Sequence, residues 1–119
     1  MLIAYASRTG NVRRFVNKLK MDSVQITPGL KINEPFVVVT YTTGFGKVPE
    51  QVLEFLTENY QNLKAVAASG NRNWGNLFAK SADVISLLYN VPIISKFEMS
   101  GTHKEVDLFI EGVSNLEAH

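Results

Sequence analysis

Cysteine is absent from this chain. That one absence excludes disulfides, thiol nucleophiles, thiolate-held clusters and cysteine-type zinc sites. Histidine is nearly absent too: only His103 and His119 carry imidazole, and their separation matches no metal-ligand spacing. No metal site is therefore expected. Net charge is also scarce, at +1 with histidine neutral. Apart from Arg8 and the Arg13-Arg14 pair the basic residues are scattered, so the concentrated basic face of a nucleic-acid binder is not expected. No apolar run approaches the length that crosses a bilayer. The first residues read as a core strand, without the basic start and cleavage site of a signal peptide. The expectation is a cytoplasmic protein with no membrane or nucleic-acid partner. With so few reactive side chains, its chemistry is expected to come from a bound cofactor.

What is present describes a globular chain. With 45% hydrophobic residues in 119, residues 1–119 are expected to form one domain with a real core. Residues 2–6 read as a strand, followed by a hydroxyl-rich turn and a helix with Val12, Phe15, Val16 and Leu19 on one face. Residues 23–26 read as a second strand. The connection 27–35 carries Pro28-Gly29 and Asn33-Glu34-Pro35, which are breaker signals, and is too short for a crossover helix. The β-branched and aromatic run 36–41 suits a central strand covered on both faces.

Next comes a helix with Pro49 in its first turn and Val52, Leu53, Leu56 and Tyr60 on one face. Residues 63–69 form the next expected strand, and Leu77, Phe78, Ala82, Ile85 and Leu88 mark the following helix. Residues 92–97 read as a last strand at a sheet edge, because proline opens it. Thr102 and Glu105 have capping-box spacing before a final helix with Val106, Phe109, Ile110, Val113 and Leu116 facing inward. The pattern predicts about five parallel strands with helices on both faces, a doubly wound α/β sheet.

In such a sheet, ligands bind outside the carboxyl ends of the strands, where strand order reverses. Three loops stand out there: 7–11, 42–47 and 70–75. In the first, the hydroxyls of Ser7 and Thr9, the Asn11 amide and the unpaired N–H groups of the helix start suit one phosphate. Gly10 lets the backbone come close. Thr9 or Asn11 as a plain helix cap is the alternative. The second loop offers Thr42, Thr43, Gly44, Phe45 and Gly46. A flavin needs a flat apolar cover and backbone partners, and Phe45 and Trp74 are the aromatics placed to supply the cover. Packing against the following helix stays open for Phe45, and a core anchor for Trp74. Gly44 has a sharper reading: reduction turns flavin N5 from acceptor to donor, and a glycine peptide can rotate its carbonyl to meet it. A plain tight turn is the alternative. Asn71 and Asn73 both donate and accept, which suits the mixed edge of a flavin pyrimidine ring. Arg72 is either near that edge, a docking contact or a solvated loop charge.

With these loops in place, the chain resembles the flavodoxin superfamily and, more closely, the NrdI family associated with class Ib ribonucleotide reductase. The motif Ser7-Arg8-Thr9-Gly10-Asn11-Val12 is shared with flavodoxins at large. Three further stretches are together specific to the narrower family: Tyr41-Thr42-Thr43-Gly44-Phe45-Gly46, Ser69-Gly70-Asn71-Arg72-Asn73-Trp74-Gly75 and Lys96-Phe97-Glu98-Met99-Ser100-Gly101-Thr102.

The resemblance implies a flavodoxin-like five-stranded sheet in the order 2-1-3-4-5 and non-covalent FMN. Its phosphate would lie on Ser7, Thr9, Gly10, Asn11 and Val12, with Arg8 in the same turn. The remainder would lie on Thr42, Thr43, Gly44, Phe45, Gly46, Ser69, Gly70, Asn71, Asn73, Trp74 and Gly75, with the Gly44 backbone at N5. The resemblance further implies that molecular oxygen is reduced to superoxide or peroxide. That oxidant would pass to the manganese-containing small (beta) subunit of the reductase for tyrosyl-radical assembly. Electrons would come from an external flavodoxin or flavin reductase, since the chain has no nicotinamide fingerprint. Such a protein is an activation factor, not a stand-alone metabolic enzyme. The sequence leaves the docking surface open, with the rim segments 45–48, 72–74 and 99–102 as its candidates.

A general one-electron carrier with the same cofactor is the alternative, and a cofactor-free interaction module is a third reading. A phosphorylated receiver domain shares the sheet order but needs an aspartate after the third strand and acidic ligands after the first. Tyr41-Thr42 and Tyr5-Ala6-Ser7 stand there instead.

Overall fold

The computed structural model describes residues 1–118, so the imidazole candidate His119 lies outside the described residues. The apolar runs become five parallel strands: β1 (Leu2–Tyr5), β2 (Ser23–Gln25), β3 (Phe36–Tyr41), β4 (Leu63–Gly70) and β5 (Ile93–Glu98). They form one sheet in the order β2-β1-β3-β4-β5. Proline-led β5 is an edge strand, as the sequence suggests.

The central strands are mostly apolar because their alternate residues serve two different cores. Val37, Val39, Ala65 and Ala67 face one cluster, with Phe15 and Val16 of α1 (Asn11–Leu19) and Phe109 and Val113 of α4 (His103–Ala118). Phe36, Val38, Val66 and Ala68 face the other, with Val52 and Leu56 of α2 (Glu50–Asn59) and Ala82 and Ile85 of α3 (Lys80–Tyr89). In the first core, Phe15 stacks on Phe97 at 3.7 Å and Phe109 meets Phe15 edge-on at 5.4 Å. The expected capping box forms: the Glu105 N–H donates to Thr102 Oγ1 at 3.2 Å, and the Thr102 N–H donates to Glu105 Oε1 at 3.0 Å.

Several helix faces differ from the expected ones. Tyr60 is half exposed, and Asn59, 3% exposed, takes the inward position at the end of α2. The reason lies in the helix-free connection between β2 and β3. Its backbone needs partners, and Asn59 supplies them: it accepts from the Ile32 N–H at 2.8 Å and donates to the Leu30 carbonyl at 2.9 Å. Pro49 stands at the N-cap of α2 and not inside its first turn. Leu77 and Phe78 precede α3, because a 3-10 segment, Arg72–Leu77, occupies the expected loop. Leu88 and Ile110 are exposed. No helix among the described residues is long and apolar enough to cross a membrane.

Candidate functional site

The sheet reverses its build direction between β1 and β3, and the loops following β1, β3 and β4 meet outside the carboxyl ends of those strands. In the first loop Gly10 is the N-cap of α1, with φ of 90° and no capping side chain of its own. Ser7 reaches forward in its place, its Oγ accepting the Arg13 N–H at 3.3 Å. Among the described residues no acceptor stands against the N–H groups of Asn11 and Val12. The first turn of α1 holds no acidic side chain, so these donors and the positive helix end face the opening unopposed.

In the second loop, Thr43 and Lys47 exchange backbone hydrogen bonds of 2.9 and 2.8 Å, which pinch Gly44-Phe45-Gly46 into a tight projection. Gly44 has φ of 50°, and a Cβ there would meet nothing within 4 Å. Its peptide is therefore bordered by open space, in a conformation that favours glycine. Phe45 is 79% exposed and meets Trp74, 52% exposed, edge to face at 6.4 Å. Neither ring packs into a core, which removes the packing alternative for Phe45 and the anchor alternative for Trp74.

In the third loop, Asn71 Oδ1 accepts the Asn73 N–H at 2.9 Å, so the Asn71 side chain shapes the turn with its oxygen and keeps its amide nitrogen for other partners. Gly70 is a point of close approach: a Cβ there would lie 2.5 Å from the Ala79 nitrogen. Arg72 turns away from the opening. Its N–H donates to Glu98 Oε2 at 3.0 Å, its guanidinium lies 3.5 Å from the Glu105 carboxylate, and it covers the Phe78 ring at 4.5 Å. It is a tie between the third loop and β5, and not a contact of the cleft.

Between the loops lies a cleft of about 330 Å³. Of the expected site residues, Ser7, Arg8, Thr9, Asn11, Val12, Thr42, Thr43, Gly44, Ser69, Gly70, Asn71 and Trp74 line it. Gly10, Phe45, Gly46, Asn73 and Gly75 sit in the same loops without lining it. Tyr41, Leu77, Ala79 and Met99 also line it and were not among the expected residues. Tyr41 and Met99 had a signal, since each stands at or just after the carboxyl end of a strand. Leu77 and Ala79 had none, because only the 3-10 segment brings them round.

Lining the cleft does not make a side chain available to a ligand. Ser69 Oγ donates to the Met99 carbonyl at 2.7 Å, and Thr42 Oγ1 bonds to Ser81 Oγ at 2.8 Å. These hydroxyls knit the walls together. Asn11 Oδ1 accepts from Arg14 Nη2 at 2.6 Å and Ser100 Oγ at 2.9 Å, which leaves its amide nitrogen as the free donor. What remains open at the α1 end is a set of donors, and at the other end an apolar rim. No group of three or more histidine, aspartate or glutamate side chains suited to a metal occurs among the described residues.

A five-stranded parallel sheet in this order, with three loops enclosing a donor-lined cleft at its switch point, defines a flavodoxin-like protein. Solved structures agree on the fold. A short-chain flavodoxin associated with a non-canonical PDU bacterial microcompartment superposes with a TM-score of 0.79 at 19% identity, covering 98% of this chain and 95% of that one. A Fusobacterium nucleatum flavodoxin variant bound to flavin mononucleotide gives a TM-score of 0.71 at 12% identity, covering 98% and 94%. At the sequence level, the family model described as NrdI flavodoxin-like matches residues 3–111. The protein NrdI of Bacillus licheniformis is 50% identical over 115 residues, covering 96% of this chain and 88% of the relative. The chain belongs to the NrdI flavodoxin-like family.

Proposed function

We infer that residues 1–119 form a single cytoplasmic FMN-binding domain that reduces molecular oxygen and hands the oxidant to the dimanganese small subunit of a class Ib ribonucleotide reductase. The observation that carries this reading is the make-up of the cleft: unpaired donors at the start of α1, and the half-exposed Trp74 ring, with exposed Phe45 against it, at the rim. That make-up matches a ligand with an anionic tail and a flat ring. When bound and reduced, FMN supplies one- and two-electron reduction of oxygen to superoxide or peroxide.

The chain's own residues bind and orient the cofactor. Ser7, Thr9 and the N–H groups of Asn11 and Val12 would hold the phosphate, with Arg8 adding charge. Thr42, Ser69 and Gly70 form the wall, the hydroxyls of Thr42 and Ser69 already committed to Ser81 and the Met99 carbonyl. Phe45 and Trp74 would supply apolar cover at the rim, and the Gly44 peptide, with φ of 50° and open space beside it, would be free to offer its carbonyl or its N–H to a flavin edge. The half-exposed rim leaves oxygen a path and offers a partner an apolar contact. An external flavodoxin or flavin reductase supplies the electrons.

The test has two stages. Purified protein titrated with FMN should become yellow and quench flavin fluorescence with saturable, one-to-one stoichiometry. Reduced protein mixed aerobically with the manganese-loaded small subunit should then generate a tyrosyl-radical signal by electron paramagnetic resonance. A colourless protein that takes up no FMN favours an interaction module. Flavin uptake with no more radical than an ordinary flavodoxin produces favours the general one-electron carrier.

A further inference from the structure

The turn after β5 contains a wall residue of the cleft in a constrained conformation. Met99 has φ of 53° and is 51% exposed. A left-handed conformation at a residue with a side chain persists only where the surroundings over-determine it. Here they do. The Met99 N–H donates to the Gly70 carbonyl at 3.0 Å, its own carbonyl accepts from Ser69, and the Gly101 N–H closes the turn on the Glu98 carbonyl at 2.9 Å.

A second set of bonds comes from α1, on the opposite side of the turn. Arg14 Nε donates to Ser100 Oγ at 3.0 Å, and Arg14 Nη2 donates to Asn11 Oδ1 at 2.6 Å. Ser100 Oγ donates to the same Asn11 oxygen at 2.9 Å and closes the triangle. Lys18 Nζ donates to the Ser100 and Gly101 carbonyls at 3.1 and 3.0 Å. Among the described residues Arg14 makes no ion pair, so its planar fork is used entirely on these neutral groups. Two acceptors at a fixed spread suit a guanidinium; an ammonium on a flexible stem does not reproduce that geometry.

We propose that Arg14 is a positioning residue for the cleft: its fork latches the turn after β5 to the start of α1 and so holds Met99 in place as a wall. The proposal rests on the FMN reading above. With FMN in the cleft, Met99 would present a soft, polarisable thioether to it as part of the wall, and Arg14 would act on that wall through the turn, without itself lining the cleft. The competing role is a simple charge effect of Arg14 on the phosphate.

Riboflavin separates the two roles, because it carries the ring without the phosphate. The experiment titrates wild type, Arg14→Lys and Ser100→Ala with FMN and with riboflavin, and records the visible circular dichroism of the bound flavin. Amide exchange at Met99 and Gly101 is measured in ligand-free protein. Both variants keep a positive charge at position 14. The expected result is a loss of riboflavin affinity of about fivefold or more in each, the order of one lost hydrogen bond. An altered flavin dichroism and faster exchange at both amides should accompany it. Unchanged riboflavin affinity in both variants overturns the proposal, whether or not FMN binding falls or exchange speeds up. If wild type takes up neither flavin, the FMN reading fails, and the exchange rates alone then decide whether Arg14 holds the turn.

Discussion

Two aromatic pairs in this molecule have opposite fates. Phe15 and Phe97 are wholly buried and stacked at 3.7 Å between α1 and the sheet. Phe45 and Trp74 meet edge-on at 6.4 Å and remain 79% and 52% exposed. Residue type alone does not separate them; their neighbours along the chain do. Phe15 shares a helical face with Val12, Val16 and Leu19, and Phe97 lies on a strand, so both fit a repeating pattern that burial can exploit. Phe45 and Trp74 stand in glycine-bearing turns where no period directs them inward. Folding uses the first pair and leaves the second for something else.

The sharpest way to break that contrast is Phe97→Ala, which empties a stacked, fully enclosed position. It should cost about 3–5 kcal/mol of stability, read as a lower midpoint in urea with an unchanged slope. A loss below about 1 kcal/mol would mean the buried pair is not a core in the usual sense. The next effect comes from a polar residue that behaves like a core one. Asn59→Ala should cost about 2–3 kcal/mol, because it strands the buried Ile32 N–H and takes the amide donor from the Leu30 carbonyl. Asn73→Ala on the rim should stay within about 0.5 kcal/mol in the same assay. Thr102→Ala removes half of the capping box at α4 and should cost about 1 kcal/mol in thermal unfolding. The smallest stability effect belongs to Phe45→Ala, expected within about 0.5 kcal/mol of wild type. That variant should nonetheless weaken FMN binding several-fold in a fluorescence titration. Loss of stability without loss of flavin affinity would turn the rim pair into an ordinary structural contact.

The fold was largely legible in the sequence because its signals are local. The run Phe36–Tyr41 reads as a doubly covered strand, and β3 covers the same residues. The four apolar positions expected on the first helix are the four buried in α1. Thr102 and Glu105 announce a helix start and make one. One misreading occurs where a distant segment changed the outcome. Tyr60 loses its inward place to Asn59 because the connection between β2 and β3 needs a polar partner, and nothing near residue 60 reveals that need.

The site was legible in outline and less so in its details. The three loops were recognisable from their glycines, hydroxyls and asparagines, and the edge rule brings them together. Which of their groups are available was not visible. Ser69 and Thr42 carry the right hydroxyls, yet both are bonded to neighbouring loops. Arg72 sits in the right loop, yet Glu98 and Glu105 draw it to the far side. Met99 lies on a strand end that the same rule covers, and its place in the wall depends on Ser69, Gly70 and, through Ser100, Arg14.

By itself the sequence determined the element list, the two-faced sheet and the family, because apolar periodicity and contiguous motifs are properties of short stretches of chain. Only the tertiary structure decided which polar atoms were left over to meet a ligand. A hydrogen bond such as Arg14 to Ser100 joins residues 86 positions apart, and each polar atom bonded within the protein has less capacity left for anything else.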